Sequence, residues 1–341
     1  MPRGSAPVFV VGCPRSGTTL LYNMLLSSGN FAVYLAESNV FNLLVPRFGD
    51  LSVRANREKL IDAWLNSKLF RASFLEAGTI QEKLSSGCNS GGDFLRIAME
   101  EMARVQGVQR WADNSPEELL HMREIKKQLP DALFIHMIRD GRDVSLSLDA
   151  RPQKWVRPFR WDLKDSLLVT GVFWEWIVQG GIQQGKTLGA DYIEVRFEDL
   201  QADPHATLAR LSQFIEHDLN YEHILKVGIG SVRDPNTSFK GDSSGPVGRY
   251  KKKMTPEKLA MFERITGSTL TSLGYPLVAS DAAVSTLKAA RLKSFYRAYF
   301  DAKFWFKNSS IGRAYLGSMS GAQIDETVIA IDPAVQPAKS R

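Results

Sequence analysis

The run Gly12-Cys13-Pro14-Arg15-Ser16-Gly17-Thr18-Thr19 places one cation between two glycines and follows it with paired hydroxyls. These residue types hold an oxyanion. Glycines let consecutive N–H groups turn inward, the hydroxyls of Thr18 and Thr19 add donors, and the Arg15 guanidinium supplies charge. Nucleoside triphosphatases use G-x-x-x-x-G-K-[ST], in which a Lys follows the second Gly and a hydroxyl meets Mg²⁺. Here Thr18 stands in the Lys position. A cation inside the turn suits a phosphate that acts as leaving group without a metal, whereas the bland alternative is a turn that binds nothing.

Such a loop needs elements on either side of it. Val8, Phe9, Val10 and Val11 form the uninterrupted apolar run of a parallel strand buried on both faces, and Leu20, Leu21, Met24 and Leu25 recur at helical spacing. Strand, loop and helix therefore put the anion at a helix N-terminus. Leu133 to Arg151, LFIHMIRDGRDVSLSLDAR, repeats the arrangement of apolar strand, polar turn and helix. Tyr192 to Phe197 reads as a third clear strand, and Phe31 to Tyr34 as a short one. The expected fold class is α/β, a doubly wound parallel sheet with a P-loop-like phosphate-binding loop and helical insertions.

P-R-S-G-T-T after a first buried strand resembles the 5′-phosphosulfate loop of the sulfotransferases that use 3′-phosphoadenosine 5′-phosphosulfate (PAPS), in their soluble, bacterial branch. The resemblance covers residues 7 to 278 in ordered segments. It implies that Gly12, Arg15, Ser16, Gly17, Thr18 and Thr19 bind the 5′ end of PAPS, and that Arg139 and Ser147, with Arg151 one helical turn on, hold the 3′-phosphate. A guanidinium fork with a hydroxyl is what a dianionic phosphate requires; taken alone, Arg139 could equally pair with Asp140 or Asp143. Asn236 to Lys253 resembles the family's C-terminal loop, which folds over PAPS and would contribute Arg249 and, more weakly, Ser238. In a large branch of the family a Glu past the loop takes the acceptor's proton, a role that falls on Glu37. Nearby Arg15 is expected to help keep that carboxylate ionised. Where several relatives have a Lys against the leaving sulfate, this chain has Asn114, which leaves Arg15 and the loop amides, or another cation such as Arg110, to stabilise the leaving group.

Composition agrees with this reading. The 341 residues are 44% hydrophobic and 23% charged with a formal charge of +6, enough for one extended core with an appendage and an anionic partner. The cations are spread rather than gathered as in nucleic-acid binders, so no nucleic-acid partner is expected. Cys13 and Cys88 are the only cysteines, which gives no disulfide framework and points to a reducing compartment. The first strand starts by about Pro7 and leaves no room for a leader, and no run reaches the ~18 apolar residues of a spanning helix. A cytoplasmic location follows, at the inner membrane surface if the C-terminal helix binds lipid.

The remaining segments are assigned less chemistry. Ser115, Pro116 and Glu118 read as a capping box that opens a helix. The aromatic and basic run Pro152 to Lys164 could wall an acceptor site. Residues 1–279 form the expected sulfotransferase domain, 280–320 an amphipathic helical extension, and 321–341 a disordered tail. Three packings compete for the extension: against the domain, against a second subunit as a homodimer, or at a membrane. The function read from the whole is PAPS-dependent sulfuryl transfer to a small-molecule or glycan hydroxyl, saccharide or glycolipid favoured, with Glu37 as base, Arg15 on the leaving phosphate, and no metal. The rivals are a kinase-like P-loop phosphoryl-transfer enzyme and a non-catalytic nucleotide- or carbohydrate-binding module on the same fold.

Overall fold

Both faces of the first strand are covered, which is why its sequence shows no polar alternation. In the computed structural model, which describes residues 2–150, 166–230, 232, 245–278 and 286–327, Phe9 and Val11 belong to one core while Val8 and Val10 belong to a second core on the opposite face. Among the described residues, four parallel strands, β1 (Val8–Gly12), β2 (Ala112–Asp113), β3 (Leu133–Ile138) and β4 (Tyr192–Arg196), lie in the order β2-β1-β3-β4. Phe9 is opposite Phe134, Gly12 opposite Met137, and Ile138 opposite Arg196. The chain moves from β1 to one edge and then crosses back to β3. The crevice beyond the carboxyl ends of β1 and β3 is therefore the topological switch point, where open α/β sheets bind ligands.

Helices cover both faces. After β1 come α1 (Thr18–Ser27), α2 (Val45–Phe48), α3 (Arg54–Leu65), α4 (Lys68–Arg71), α5 (Ala77–Gly87) and α6 (Gly91–Gln106). A 3-10 helix, Pro116–His121, runs into α7 (Met122–Gln128) between β2 and β3. Helices α8 (Gly141–Asp149) and α9 (Ser166–Gly185) separate β3 from β4. Helices α10 (Phe197–Ala202), α11 (Pro204–Ile215) and α12 (Tyr221–Val227) follow, then α13 (Tyr250–Lys253) and α14 (Pro256–Ser272). The chain continues in α15 (Thr286–Asn308), α16 (Ser310–Leu316) and α17 (Gly321–Thr327). No helix among the described residues is long and apolar enough to cross a membrane.

Three local expectations are corrected. Phe31 to Tyr34 makes a single bridge, Phe31 to Arg110, instead of a strand; the Gln106 side chain takes the place of a neighbouring strand, accepting from Val33 N at 2.8 Å and donating to Val33 O at 3.0 Å. The capping box at Ser115 does not form. Ser115 Oγ accepts from Asn39 N (3.0 Å) and Glu118 Oε1 from Phe41 N (2.8 Å), so both side chains serve a neighbouring segment whose buried N–H groups have no regular partner. Gly321 to Thr327, where the sequence loses periodicity, is the helix α17, with Gly321 against the backbone of Asn66 and Ile324 fully buried. Residues 328–341 lie outside the described residues.

The extension is packed on the domain. Phe300 of α15 sits against Phe173 and Trp176 of α9, with ring centroids 5.4 and 5.6 Å apart, and Lys293 Nζ meets the buried Glu175 Oε2 at 2.7 Å.

Candidate active site at the carboxyl ends of the central strands

At the end of β1, a Cβ on Gly12 would lie 2.5 Å from the Met137 carbonyl oxygen, so only glycine lets the two strands stay paired here. The chain then turns, with Ser16 N donating to Cys13 O at 3.1 Å. Arg15 (φ +76°) and Gly17 (φ +93°) both take left-handed backbone angles, an arrangement that turns successive N–H groups toward one side. Gly17 is doubly required, because a Cβ there would fall 2.3 Å from the Phe197 ring. Helix α1 starts directly after Gly17 with no side chain capping it, so its first-turn N–H groups and the positive end of its dipole face the loop. Thr18 is buried and Thr19 half-buried; Ser16 Oγ is fully buried and has no hydrogen-bond partner among the described residues.

Arg139, the residue after β3, reaches this loop. Its Nη1 donates to Arg15 O at 3.0 Å, its Nη2 donates to Pro246 O, and its guanidinium lies 4.5 Å from the centre of the Phe197 ring. Both protein acceptors are backbone carbonyls. Among the described residues no carboxylate makes an ion pair with Arg139, and burial, the largest influence, pulls its pKa down. Burying a guanidinium is costly; Asp143, Glu198 and Asp140 offset part of that cost through their charges without pairing with it, and an arriving anion would relieve it further. Ser147 on α8 is in hydrogen-bond contact with Arg15, whose Nε donates to its Oγ at 3.1 Å. Among the residues assigned to the two phosphates, Arg15, Arg139 and Ser147 thus form one contiguous cluster.

The acids beside Arg139 have other work. Asp140 caps α8 through Arg142 N (2.9 Å) and forks with the Arg142 guanidinium (2.9 and 2.7 Å), which also meets Glu263 Oε1 at 2.5 Å. Asp143 accepts from Gly248 N (2.6 Å) and Tyr250 N (3.0 Å), clamping the segment that carries Arg249 against α8. Arg249 lies near enough that its charge acts on Arg139. Arg151 and Ser238, and the run 152–164, lie outside the described residues.

Glu37 occupies the opposite flank. Asn39 Nδ2 is 3.4 Å from its Oε2, and burial pushes its carboxyl up to about 8, with the nearby Glu117 and Asp113 carboxyls adding to the rise. Arg15 opposes this, but more weakly than burial promotes it. Arg15 thus acts in the expected direction, favouring the ionised carboxylate, but burial outweighs it. Asp113 is also pushed up, to about 6, by burial, with Ser38 and Ser115 lowering it. Of Asp113, Glu117 and Glu118, the sequence singled out only Glu118, as part of a helix start. Their signal, Asp113 followed by Glu117 and Glu118, is the same as that of any acidic helix N-terminus.

Asn114, where the family resemblance led to the expectation of a Lys, is buried after β2, with no partner for Oδ1 among the described residues. Arg110 does not substitute for that Lys. It donates to the carbonyls of Ile215, Arg3 and Ala6, each at 3.0 Å, on the side of the sheet where β1 begins. His136 is buried in β3 with Nδ1 2.6 Å from Tyr192 OH.

Comparisons with known proteins fit this geometry. A family model described as "Sulfotransferase family" matches residues 7–221, more than half of the chain. The chain is 26% identical to protein-tyrosine sulfotransferase A of Caenorhabditis elegans over 216 residues, which is 63% of this chain and 50% of that protein, so it spans about half the length of the curated relative it matches. The sulfotransferase domain of the curacin biosynthetic pathway is similar in fold, with a TM-score of 0.52, 16% identity, and coverage of 82% of this chain and 99% of that one. The sulfotransferase domain of the Synechococcus PCC 7002 olefin synthase gives a TM-score of 0.45 at 19% identity, covering 85% and 94%.

Proposed function

The chain belongs to the sulfotransferase family, and from that premise we propose that its donor is PAPS, bound between the Arg15 loop and Arg139, and that Glu37 takes the proton of the acceptor hydroxyl. The observation that carries the donor assignment is Arg139, a buried cation whose direct contacts among the described residues are two carbonyls, one of them in the Arg15 loop, and an aromatic face. Ser16 Oγ, buried with no hydrogen-bond partner among the described residues, is a second donor an anion could use. When bound, PAPS would supply the sulfuryl group and leave as adenosine 3′,5′-bisphosphate. Gly12, Ser16, Gly17, Thr18 and Thr19 would hold the 5′ end, and Arg139, Ser147 and Arg249 the 3′-phosphate.

This chain's own contribution is positioning and charge. Arg15 and the inward-turned amides of the loop stabilise negative charge on the leaving oxygen, a task made larger by Asn114 in place of a cation. Glu37, when ionised, accepts the acceptor's proton; its raised pKa makes it a stronger base at the cost of a smaller ionised fraction at neutral pH. The acceptor is a hydroxyl, with a saccharide or glycolipid as the first reading. The named substrate class of the C. elegans relative adds a tyrosyl phenol as the second.

The test is transfer of labelled sulfate from PAPS, with EDTA present, to parallel pools of saccharides, glycolipids and tyrosine-containing peptides. Label in one pool identifies the acceptor class. A protein that binds adenosine 3′,5′-bisphosphate no better than AMP by calorimetry would overturn the donor assignment.

A further inference from the structure

Helix α15 lies beyond the segment matched by the family model, yet its last turn reaches toward the flank that holds Glu37. Lys307 Nζ donates to Asn42 Oδ1 at 2.5 Å, and Asn42 Nδ2 donates to Glu117 Oε2 at 3.3 Å. Glu117 is one of the acids whose charge acts on Glu37, and it also acts on Cys13 inside the loop. Its neighbour Glu118 is fully buried, and the Lys307 charge acts on both. The helix is held in this register by Phe300 between Phe173 and Trp176, by Lys293 on Glu175, and by Trp176 Nε1 donating to Asp301 Oδ1 at 2.7 Å. A lysine of α15, an amide and an acid therefore form a line of polar contacts that ends at Glu117, whose charge acts on the proposed base.

We propose that Lys307 is a positioning residue for sulfuryl transfer, which through Asn42 fixes the Glu117 carboxylate beside Glu37 and offsets its charge there. The proposal rests on the reading of Glu37 as base. The charged groups that act on Glu37 come from three sides: Arg15 from the loop, Asp113 from β2, and Glu117 from the 3-10 helix. Those acting on Lys307 are Glu117 and Glu118, and Lys303, one turn earlier on α15, is repelled by it. Because Glu117 destabilises the ionised form of Glu37 and Lys307 offsets Glu117, the two outer residues act on the base with opposite sign.

The experiment reads Glu37 directly and needs no acceptor. Protein labelled with carbon-13 at the glutamate side-chain carboxyls is titrated by NMR, with E37Q assigning the Glu37 signal. In K307Q, whose amide can still meet Asn42 without the charge, the Glu37 midpoint should rise by roughly half a pH unit, and in E117Q it should fall by a similar amount, as expected for a charge several ångströms away at a partly screened site. K307R should restore the wild-type midpoint. A helix that merely docks would lower the melting temperature in K307Q and leave the midpoint in place, and that result would overturn the proposal. Should K307Q fail to fold, E117Q decides alone: a midpoint that does not fall rejects the relay. Failure of the base reading is separate, since E37Q would then transfer sulfate at near the wild-type rate while the NMR midpoints still moved.

Discussion

Arg139 Nη1 donates to the carbonyl oxygen of Arg15 across 3.0 Å, so the residue just after β3 fastens the loop that follows β1. One guanidinium thereby serves both as part of the candidate 3′-phosphate site and as the support of the candidate 5′ site. Its loss should be felt at both.

Arg139→Ala should weaken binding of adenosine 3′,5′-bisphosphate by on the order of 2 kcal/mol, or about 30-fold, the usual worth of a charge-assisted fork. AMP, which lacks the 3′-phosphate, should lose less. Calorimetry with both ligands checks this, and equal losses would place Arg139 on the 5′ side alone.

Gly17→Ala should abolish bisphosphate binding and lower stability by more than about 1 kcal/mol. The new methyl would enter a left-handed backbone at φ +93° and strike the Phe197 ring at 2.3 Å. Denaturant unfolding beside calorimetry separates the two effects. Normal binding in a folded variant would show that the loop can relax.

Glu37→Gln should cut turnover by ~10² to 10⁴ and leave bisphosphate affinity nearly unchanged. In the wild type the carboxyl titrates at about 8, so activity should climb as pH rises through that value. Stability runs the other way. The folded pKa is raised above the unfolded value of ~4.3, so this group's contribution is full below ~4.3 and is lost as pH rises toward about 8. Comparing wild type and Glu37→Gln in pH-dependent unfolding should show the gap closing at acid pH; a constant gap would mean that Glu37 does not carry a raised pKa.

Arg142→Met should cost about 3 to 5 kcal/mol in urea unfolding, because it leaves Asp140 and Glu263 buried without their cation. Since Asp140 caps the helix that carries Ser147, bisphosphate affinity should fall with it. A stability change under 1 kcal/mol would show that water reaches those acids.

The sequence carried the central framework. Val8 to Gly17 had to be strand and tight turn because an apolar run, a glycine at a close strand contact and a glycine with positive φ each leave few alternatives. The Leu133 and Tyr192 strands were legible for the same reason, as was the helix after Thr255, whose hydroxyl accepts from Lys258 N at 3.4 Å. Arg139 and Ser147 were reachable only through resemblance, since an Arg after a strand is ordinarily assigned to the nearest acid. The structure gives Asp140 to Arg142 and Asp143 to backbone amides, which leaves Arg139 facing the loop.

What the chain by itself determined is local: backbone angles, periodicity and the reach of a loop depend on neighbours a few residues away. The state of a carboxyl depends instead on how much water remains around it and on charges brought from elsewhere in the chain. Arg15 stands near Glu37 in sequence, yet burial outweighs its charge, and acids from β2 and the 3-10 helix add to the rise. Lys307, last in sequence among these groups, comes beside Glu117 only because aromatic packing on α9 directs the end of α15 inward. Solvent exclusion and long-range Coulomb contacts are sums over the packed molecule, so tertiary structure alone decided the environment of the proposed base.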